Sequence, residues 1–303
     1  MGEPFIGSEA LSAGRLTRHQ LRTNFVAVHK DVYVARGTKP TAIMRAKAAW
    51  LRSKRRGVLA GFSAAALHGA RFIGPEIPAY ICDGYSRHER GVVVWRDVPP
   101  ADEMCRIGGM MLTTPLRTAV DLARKLPEDV AVAAIDALAR AARLTVADIE
   151  TAALRHSGQR GIRQARRIIS LIDPKAESPR ETALRLLIIR SGLPKPDSQH
   201  PIYNEYGALI GVVDFAWPDL KIAIEYEGAH HTDPDAVRRD IARIESMVEV
   251  GWLVVRVTAR DSAGVVLRRL INGRASRGAV DGGVWRLPPG EAEGLWPPGL
   301  RAS

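Results

Sequence analysis

The chain has 303 residues, with 44 Lys and Arg against 33 Asp and Glu, so its formal net charge is +11. This length is typical of about two domains, and 46% hydrophobic with 25% charged residues is ordinary globular composition. Two cysteines, Cys82 and Cys105, are too few for a disulfide scaffold and too widely separated for a zinc knuckle. No apolar stretch has the length of a membrane span, and the N-terminus lacks a signal-peptide pattern. We therefore expect a cytoplasmic protein, with nucleoid association as an option.

The charge is distributed unevenly along the chain. Residues 1–100 contain 16 Lys and Arg against 7 Asp and Glu, whereas residues 201–250 contain 4 against 10. Basic surfaces attract polyanions through phosphate contacts and counterion release, but an acidic cluster binds phosphate only through a divalent cation. The pattern suits a polyanion as a partner, and a generally basic protein explains the charge equally well.

Residues 5–36 predict a helix-turn-helix with a wing. Ser8–Ala13 forms a first helix, Thr17 and Gln20 form a capping box that starts the second, and strands 25–28 and 32–35 enclose a turn. Arg and Gln side chains on the second helix suit guanine and adenine edges in a major groove. The predicted DNA-contacting residues are Arg15, Arg18, His19, Gln20, Arg22 and Lys30. The alternative is a solvated basic helix.

The middle of the chain predicts an α/β module. Helices are expected at 41–54, 63–68, 114–125, 129–143, 146–155 and 160–172, and strands at 79–82 and 92–95. On the last of these helices, Arg163 and Arg167 lie on one face and could follow phosphates, although a solvated face is the commoner outcome. The polar segment 173–177 marks a boundary, which gives domains 1–172 and 173–274 and a Gly/Pro-rich tail 275–303.

The second domain predicts a mixed sheet with flanking helices, so the whole chain is α/β (α+β). Ser178 and Glu181 start a helix that ends near Arg190. Strands at 201–203, 208–215 and 222–226 follow, then a helix capped at Asp233 and an apolar strand at 252–258 of the kind that is buried on both faces. Asp240 is expected to form exposed helix pairs with Arg239 and Arg243, with a phosphate contact from one of the arginines as the alternative.

Three carboxylates interrupt the apolar strands of this domain. A turn at 217–219 brings Asp214 back towards Glu225, and the two-residue period of a strand puts Lys221, Glu225 and Glu227 on one face. Carboxylates on neighbouring strands can hold the Mg²⁺ or Mn²⁺ that phosphodiester hydrolysis requires. The alternatives are a solvent-facing edge strand and a salt bridge to Lys221.

Residues 178–262 resemble the PD-(D/E)XK nuclease superfamily, and in particular the very-short-patch repair endonucleases. The resemblance is carried by the segments 178–182, 213–218, 224–228 and 251–257. It implies that Asp214 and Glu225 are metal ligands and that Glu181 completes the site. The superfamily usually has lysine where this chain has Glu227, so either Glu227 is a further ligand or base, or Lys221 substitutes, or the site is inactive.

Two further residues have competing interpretations. Glu181 can bind a metal, or its carboxylate can accept a hydrogen bond from the backbone N–H of Ser178 as a capping-box glutamate. His231 follows the strand end and is a candidate general base, although a loop histidine without a role is the simpler interpretation.

The N-terminal part, residues 5–140, resembles AbiEi-type antitoxins of type IV toxin-antitoxin systems. The carrying segments are 16–22, 32–34, 63–69 and 113–122. The resemblance implies a transcriptional autoregulator with an N-terminal winged helix. Three functions are therefore considered: a Mg²⁺-dependent DNA endonuclease or nickase, a non-catalytic antitoxin-like regulator with a degenerate nuclease fold, and, as a weaker alternative, a scaffold that binds a neighbouring toxin. Partners would be duplex DNA, a cognate toxin or a repair protein, and a second copy of the chain.

Overall fold

The computed structural model describes residues 2–84, 89–227 and 234–279. Contacts divide the chain into two compact units between Pro174 and Lys175. Both units combine helices with sheets, which confirms the α/β (α+β) class. Among the described residues, no helix combines the length and the apolar character that crossing a bilayer requires.

The first unit begins with a small winged element. Its elements are β1 (Phe5–Ile6), α1 (Gly7–Ser12), α2 (Arg18–Asn24), β2 (Phe25–His29), β3 (Val32–Ala35) and α3 (Ala42–Arg52). The predicted capping box is present, because Thr17 Oγ1 accepts from the Gln20 N–H at 3.1 Å and Gln20 Oε1 accepts from the Thr17 N–H at 2.8 Å. The strands form a three-stranded sheet in the order β1-β3-β2, and α3 packs on it through buried Ala48 and Leu51 against Val32.

A five-stranded sheet and a group of helices complete this unit. The elements are β4 (Val58–Leu59), α4 (Gly61–Leu67), β5 (Ala79–Cys82), β6 (Val92–Trp95), β7 (Met104–Ile107), β8 (Met110–Thr113), α5 (Pro115–Lys125), α6 (Glu128–Ala142), α7 (Val146–Leu154) and α8 (Ile162–Ile169). The sheet order is β6-β5-β4-β8-β7. Strands β4, β7 and β8 were not predicted; β4 has only two residues, too few to show a period. Helix α8 begins later than predicted, because Gly161 precedes it with a left-handed φ of 83°, and it ends at Ile169 rather than at Ile172.

The second unit is built on a four-stranded mixed sheet in the order β12-β11-β10-β9. Its elements are α9 (Pro179–Arg190), β9 (Asp197–Tyr203), β10 (Leu209–Trp217), β11 (Ile222–Glu227), α10 (Pro234–Glu249), β12 (Leu253–Thr258) and α11 (Ala263–Ser276). Strands β9, β10 and β11 are antiparallel, and β11 pairs with β12 in parallel. Helices α9 and α11 contribute to one core with Phe215 and Ile224, whereas Met247 of α10 packs with Ala216 and Ala223 in another.

Two predictions about this unit need correction, whereas the apolar strand β12 packs on both faces as predicted, with Val255 and Val257 in one core and Val254 against the other, although it lies at the edge of the described sheet. Helix α11 was not predicted; Ser262 caps it by accepting a hydrogen bond from the Val265 N–H at 3.4 Å. The predicted tail thus begins inside a helix, and its remainder, residues 280–303, lies outside the described residues, as does the predicted cap Asp233.

Candidate functional site

The basic surface of the first unit lies on α2 and the wing. Only Leu21 of α2 is buried, while Arg18, His19, Gln20 and Arg22 are exposed. Arg15 in the preceding turn and Lys30 in the wing turn are exposed as well. All six predicted DNA-contacting side chains of this region are therefore accessible. The side-chain amide oxygen of Gln20, however, already accepts a hydrogen bond in the capping box.

Hydrogen bonds hold this surface in a fixed shape. Arg36 donates to the carbonyl oxygens of Thr23 at 2.7 Å and Arg22 at 2.9 Å, and thereby satisfies the C-terminal end of α2. The wing turn contains Asp31, whose φ of 63° is left-handed. Its carboxylate accepts from the Ser8 N–H at 2.9 Å, which ties the wing to α1. A rigid wing reduces the ordering entropy that binding would otherwise cost.

The two arginines predicted to contact DNA from α8 are exposed but differ in their surroundings. Helix α8 buries Ile162, Ala165 and Ile168 and presents Arg163 and Arg167 to solvent. The Nε atom of Arg167 lies 2.8 Å from Glu128 Oε2, so its charge is partly compensated by an ion pair. Of the two, Arg163 is the better phosphate candidate.

In the second unit, the structure brings Asp214 and Glu225 to adjacent strands as predicted. The antiparallel register pairs Phe215 with Ile224, so Asp214 is level with Glu225 one residue beyond. At this level the acceptor of the Tyr226 N–H is a side-chain oxygen, Asp214 Oδ2, at a distance of 2.7 Å. The same level of the sheet includes Gln199 on β9, between the pairs Val213–His200 and Phe215–Ser198.

The carboxylates of this cluster influence one another. Burial and, to a smaller extent, the negative charges of Glu181 and Glu225 together raise the pKa of Asp214 to about 7, against the opposing effect of the hydrogen bond from the Tyr226 N–H. Burial also raises the pKa of Glu181. The charges of Glu181 and Glu225 thus act in the same direction as burial, since nearby like charges in a low-dielectric site favour protonation of one carboxylate.

Glu181 acts in the cap of α9, but not through the bond that was predicted. Its Oε2 accepts from the Glu177 N–H at 2.9 Å and from Gln199 Nε2 at 3.1 Å, and its Oε1 lies 2.9 Å from Ser178 Oγ. Both of its oxygens are therefore engaged, and the backbone donor is Glu177 rather than Ser178.

Arginine side chains bind Glu225 and Glu227. Arg243 of α10 donates to both oxygens of Glu225, with Nη2 at 3.0 Å from Oε2, and also to Asp240 at 2.6 Å. Arg256 of β12 forms an ion pair with Glu227 and lies 3.2 Å from Asp240. Hydrogen bonds to Glu225 raise the pKa of Arg243. Asp240 and Arg243 thus form the predicted helix pair at i, i+3, but the pair is part-buried and belongs to a network with Glu225 and Arg256.

The remaining predicted residues of this cluster lie elsewhere. Lys221 precedes β11 with a left-handed φ of 49°, and its Nζ donates to the Val250 carbonyl oxygen at 3.1 Å. It therefore does not share the carboxylate face of the strand, and arginines instead of Lys221 compensate Glu225 and Glu227. His231 lies outside the described residues.

The donor set does not fit a hard divalent cation in this arrangement. Such an ion requires several free oxygen ligands, but Arg243 engages both oxygens of Glu225, and both oxygens of Glu181 accept hydrogen bonds. Within residues 2–84, 89–227 and 234–279, no group of three His, Cys, Asp or Glu side chains is arranged to bind a metal ion.

The structure also shows a buried ionic cluster in the first unit that the sequence did not reveal. Arg117 is 5% exposed and forms ion pairs with Glu103 and, at 2.7 Å, with Asp121. His156 Nε2 lies 3.1 Å from the same Glu103. The i, i+4 spacing of Arg117 and Asp121 was a visible signal, but it did not indicate burial, and neither Glu103 nor His156 is near them in sequence.

The sequence is similar to known proteins over part of its length. Residues 57–172 match the AbiEi antitoxin C-terminal domain family. Two uncharacterized proteins from two strains of Mycobacterium tuberculosis are each 40% identical over 157 residues. This alignment covers 52% of the chain and 58% of each relative, so the chain spans little more than half the length of the relatives it matches. No solved structure matches the chain.

The family match refines the predicted resemblance. It includes the segments 63–69 and 113–122 and extends to residue 172, beyond the predicted limit of 140, while residues 5–56 lie before it. It spans β4 to α8 and therefore contains the ionic cluster around Arg117. The antitoxin-like resemblance is confirmed over this range, whereas none of these matches supports the nuclease resemblance.

Proposed function

We propose that the protein is a non-catalytic, antitoxin-like regulator that binds double-stranded DNA through α2 and the wing. The observation that carries the proposal is the match of residues 57–172 to the AbiEi antitoxin C-terminal domain, directly after a winged element with an exposed basic helix. The charge distribution agrees, since the first 100 residues carry more than twice as many basic as acidic residues. A cognate toxin is the protein partner that an antitoxin implies.

The basic surface supports DNA contact by both geometry and charge. In a winged helix, the second helix of the helix-turn-helix enters the major groove and the wing contacts the backbone. Arg18 and Arg22 extend from successive turns of α2, where arginine can read guanine, and Lys30 extends from the wing turn, where it can bind phosphate. Leu21 is the only buried residue of α2, so α2 can bind in a DNA groove without any rearrangement of the protein core.

Electrophoretic mobility shift with the DNA upstream of the protein's own gene tests the proposal. Arg18→Ala and Arg22→Ala are each expected to weaken binding by roughly five- to hundredfold. Each phosphate contact that is lost reduces the slope of the logarithm of the binding constant against the logarithm of salt concentration by about one. Arg155→Ala is the matched control, because it removes an equal charge from an exposed ion pair with Asp102 outside this element. Equal affinity of all three variants and the wild type would refute the proposal.

A metal-dependent DNA nuclease is the second candidate. One observation favours it: Asp214 lies on the strand next to Glu225, and burial together with the charges of Glu181 and Glu225 raises the pKa of Asp214 to about 7. Binding of Mg²⁺ or Mn²⁺ would require Arg243 to leave Glu225. Calorimetric titration of the wild type and Asp214→Asn with each ion, together with plasmid cleavage, decides between the candidates. Binding and cleavage that Asp214→Asn abolishes would establish the nuclease, whereas their absence supports the regulator.

A further inference from the structure

Helix α10 carries an apolar stripe on its exposed surface. Val237, Ile241 and Val248 are 38%, 49% and 56% exposed, and Ile244 is half-buried. These four residues are separated by four, three and four positions, which places them within one narrow stripe of an α-helix. The helix faces the sheet with other residues, namely the buried Met247 and the arginine that binds Glu225. The stripe is therefore not the core-facing side of α10.

The spacing of the stripe is that of a coiled-coil seam. Alternating steps of four and three define the a and d positions of a heptad, with Ile241 and Val248 at a and Val237 and Ile244 at d. β-branched residues at every seam position pack well against the same residues of a second helix. Below, this stripe is called the α10 seam.

The charges beside the α10 seam select one orientation of a partner helix. Arg238 and Glu245 occupy the two e positions, and both are exposed. In an antiparallel pair of identical helices, the e positions face each other, so Arg238 of each copy meets Glu245 of the other. In a parallel pair, the g residue Asp240 would instead approach Glu245, and two like charges would meet.

We propose that the α10 seam is a homodimer contact in which two copies of α10 pack antiparallel about a two-fold axis. The occupant is a second copy because the surface is self-complementary in both shape and charge, which a two-fold interface requires. The midpoint of the seam lies between Ile241 and Ile244, so these two residues meet across the axis, and Val237 meets Val248 of the other copy. A two-fold dimer carries two DNA-binding surfaces, as palindromic half-sites require.

Sedimentation of the full chain over a range of concentrations tests the dimer. The wild type is expected to change from monomer to dimer as concentration rises, and Ile241→Glu to weaken the dimer roughly a hundredfold because it buries an unpaired charge. Val98→Glu is the matched control, since Val98 is 86% exposed in the first unit. A wild type that remains monomeric at every concentration, or a dimer that Ile241→Glu does not weaken, overturns the proposal.

Charge reversal and cross-linking test the orientation. Arg238→Glu and Glu245→Arg are each expected to weaken the dimer several-fold, and the double variant to restore it. In a Cys105→Ser background, a mixture of Val237→Cys and Val248→Cys proteins is expected to form the mixed disulfide. Predominant linkage between two copies of Val237→Cys, or a double variant weaker than both single variants, would overturn the antiparallel arrangement.

These outcomes are separable from those that test DNA binding. Ile241→Glu leaves α2 and the wing unchanged, so it is expected to retain binding to a single half-site. Loss of the dimer with retained half-site binding supports both proposals, and half-site binding by a wild type that never dimerises overturns only the dimer.

Discussion

The pKa of Asp214 predicts how the stability of the second unit depends on pH. In the folded protein this pKa is about 7, compared with 3.8 for an ordinary aspartate, so the folded state holds a proton that the unfolded state has released. The carboxyl is neutral in both states below pH 4 and does not affect stability there. As pH rises from about 4 to 7, the unfolded state gains a favourable ionisation that the folded state lacks, and stability falls. Above pH 7, the full destabilisation is present.

The magnitude follows from the two pKa values. Each unit of difference corresponds to about 1.4 kcal/mol, so ionisation of Asp214 destabilises the folded state by up to about 4 kcal/mol above pH 7. Asp214→Asn removes the ionisation while its amide oxygen can still accept the hydrogen bond from the Tyr226 N–H. The variant is therefore expected to match the wild type near pH 4 and to be more stable than it at pH 8.

Urea unfolding between pH 4 and 8, followed by tryptophan fluorescence, measures this effect. Trp217 lies in the core of this unit and is 5% exposed, so its emission reports on unfolding there. Asp219→Asn is the matched control, because Asp219 is an exposed aspartate in the turn between β10 and β11. Equal pH dependence in Asp214→Asn and the wild type would refute the reasoning, as would a variant that is less stable than the wild type at pH 8.

Two further predictions concern stability. Arg243→Met leaves the carboxylate of Glu225 buried without its arginine and is expected to lower the free energy of unfolding by about 3 kcal/mol; adding Glu225→Gln should recover more than half of the loss in urea titrations, and additive losses would contradict the pairing. Gly161→Ala is expected to cost about 2–4 kcal/mol, because φ is 83° and the new Cβ would lie 2.3 Å from a backbone oxygen. Gly158→Ala has a similar φ but open space and should cost only about 1 kcal/mol; equal melting temperatures of these two variants would show that the close approach is unimportant.

Local sequence patterns were sufficient where the deciding interactions are local. The capping box of Thr17 and Gln20 is present as predicted, because its two hydrogen bonds join residues three positions apart. The turn after Trp217 was equally readable, and it fixed Asp214 on the strand next to Glu225. The exposure of the basic side chains of α2 could also be predicted, because the helix has a single apolar residue, Leu21, to bury.

Tertiary contacts decided which groups compensate the negative charges of the carboxylates in the second unit. The sequence showed three acids on apolar strands but not that Arg243 and Arg256, 18 and 29 positions beyond Glu225 and Glu227, would bind them. The reason is physical: a charge on a buried strand must be compensated, but whether a metal, a lysine or an arginine compensates it depends on which elements the chain packs above the sheet. Helix α11 and the edge position of β12 were likewise decided by packing.

Local patterns in the sequence were enough to predict the α/β class, the basic winged element and the position of Asp214 and Glu225 on adjacent strands. Each of these depends on side-chain period, capping residues or turn chemistry within a few positions. The binding of Glu225 and Glu227 by arginines and the exposure of the apolar seam of α10, in contrast, depend on how the elements pack together. Both depend on which face of α10 packs on the sheet, and a helix with apolar residues on two sides leaves that choice to the partners it meets.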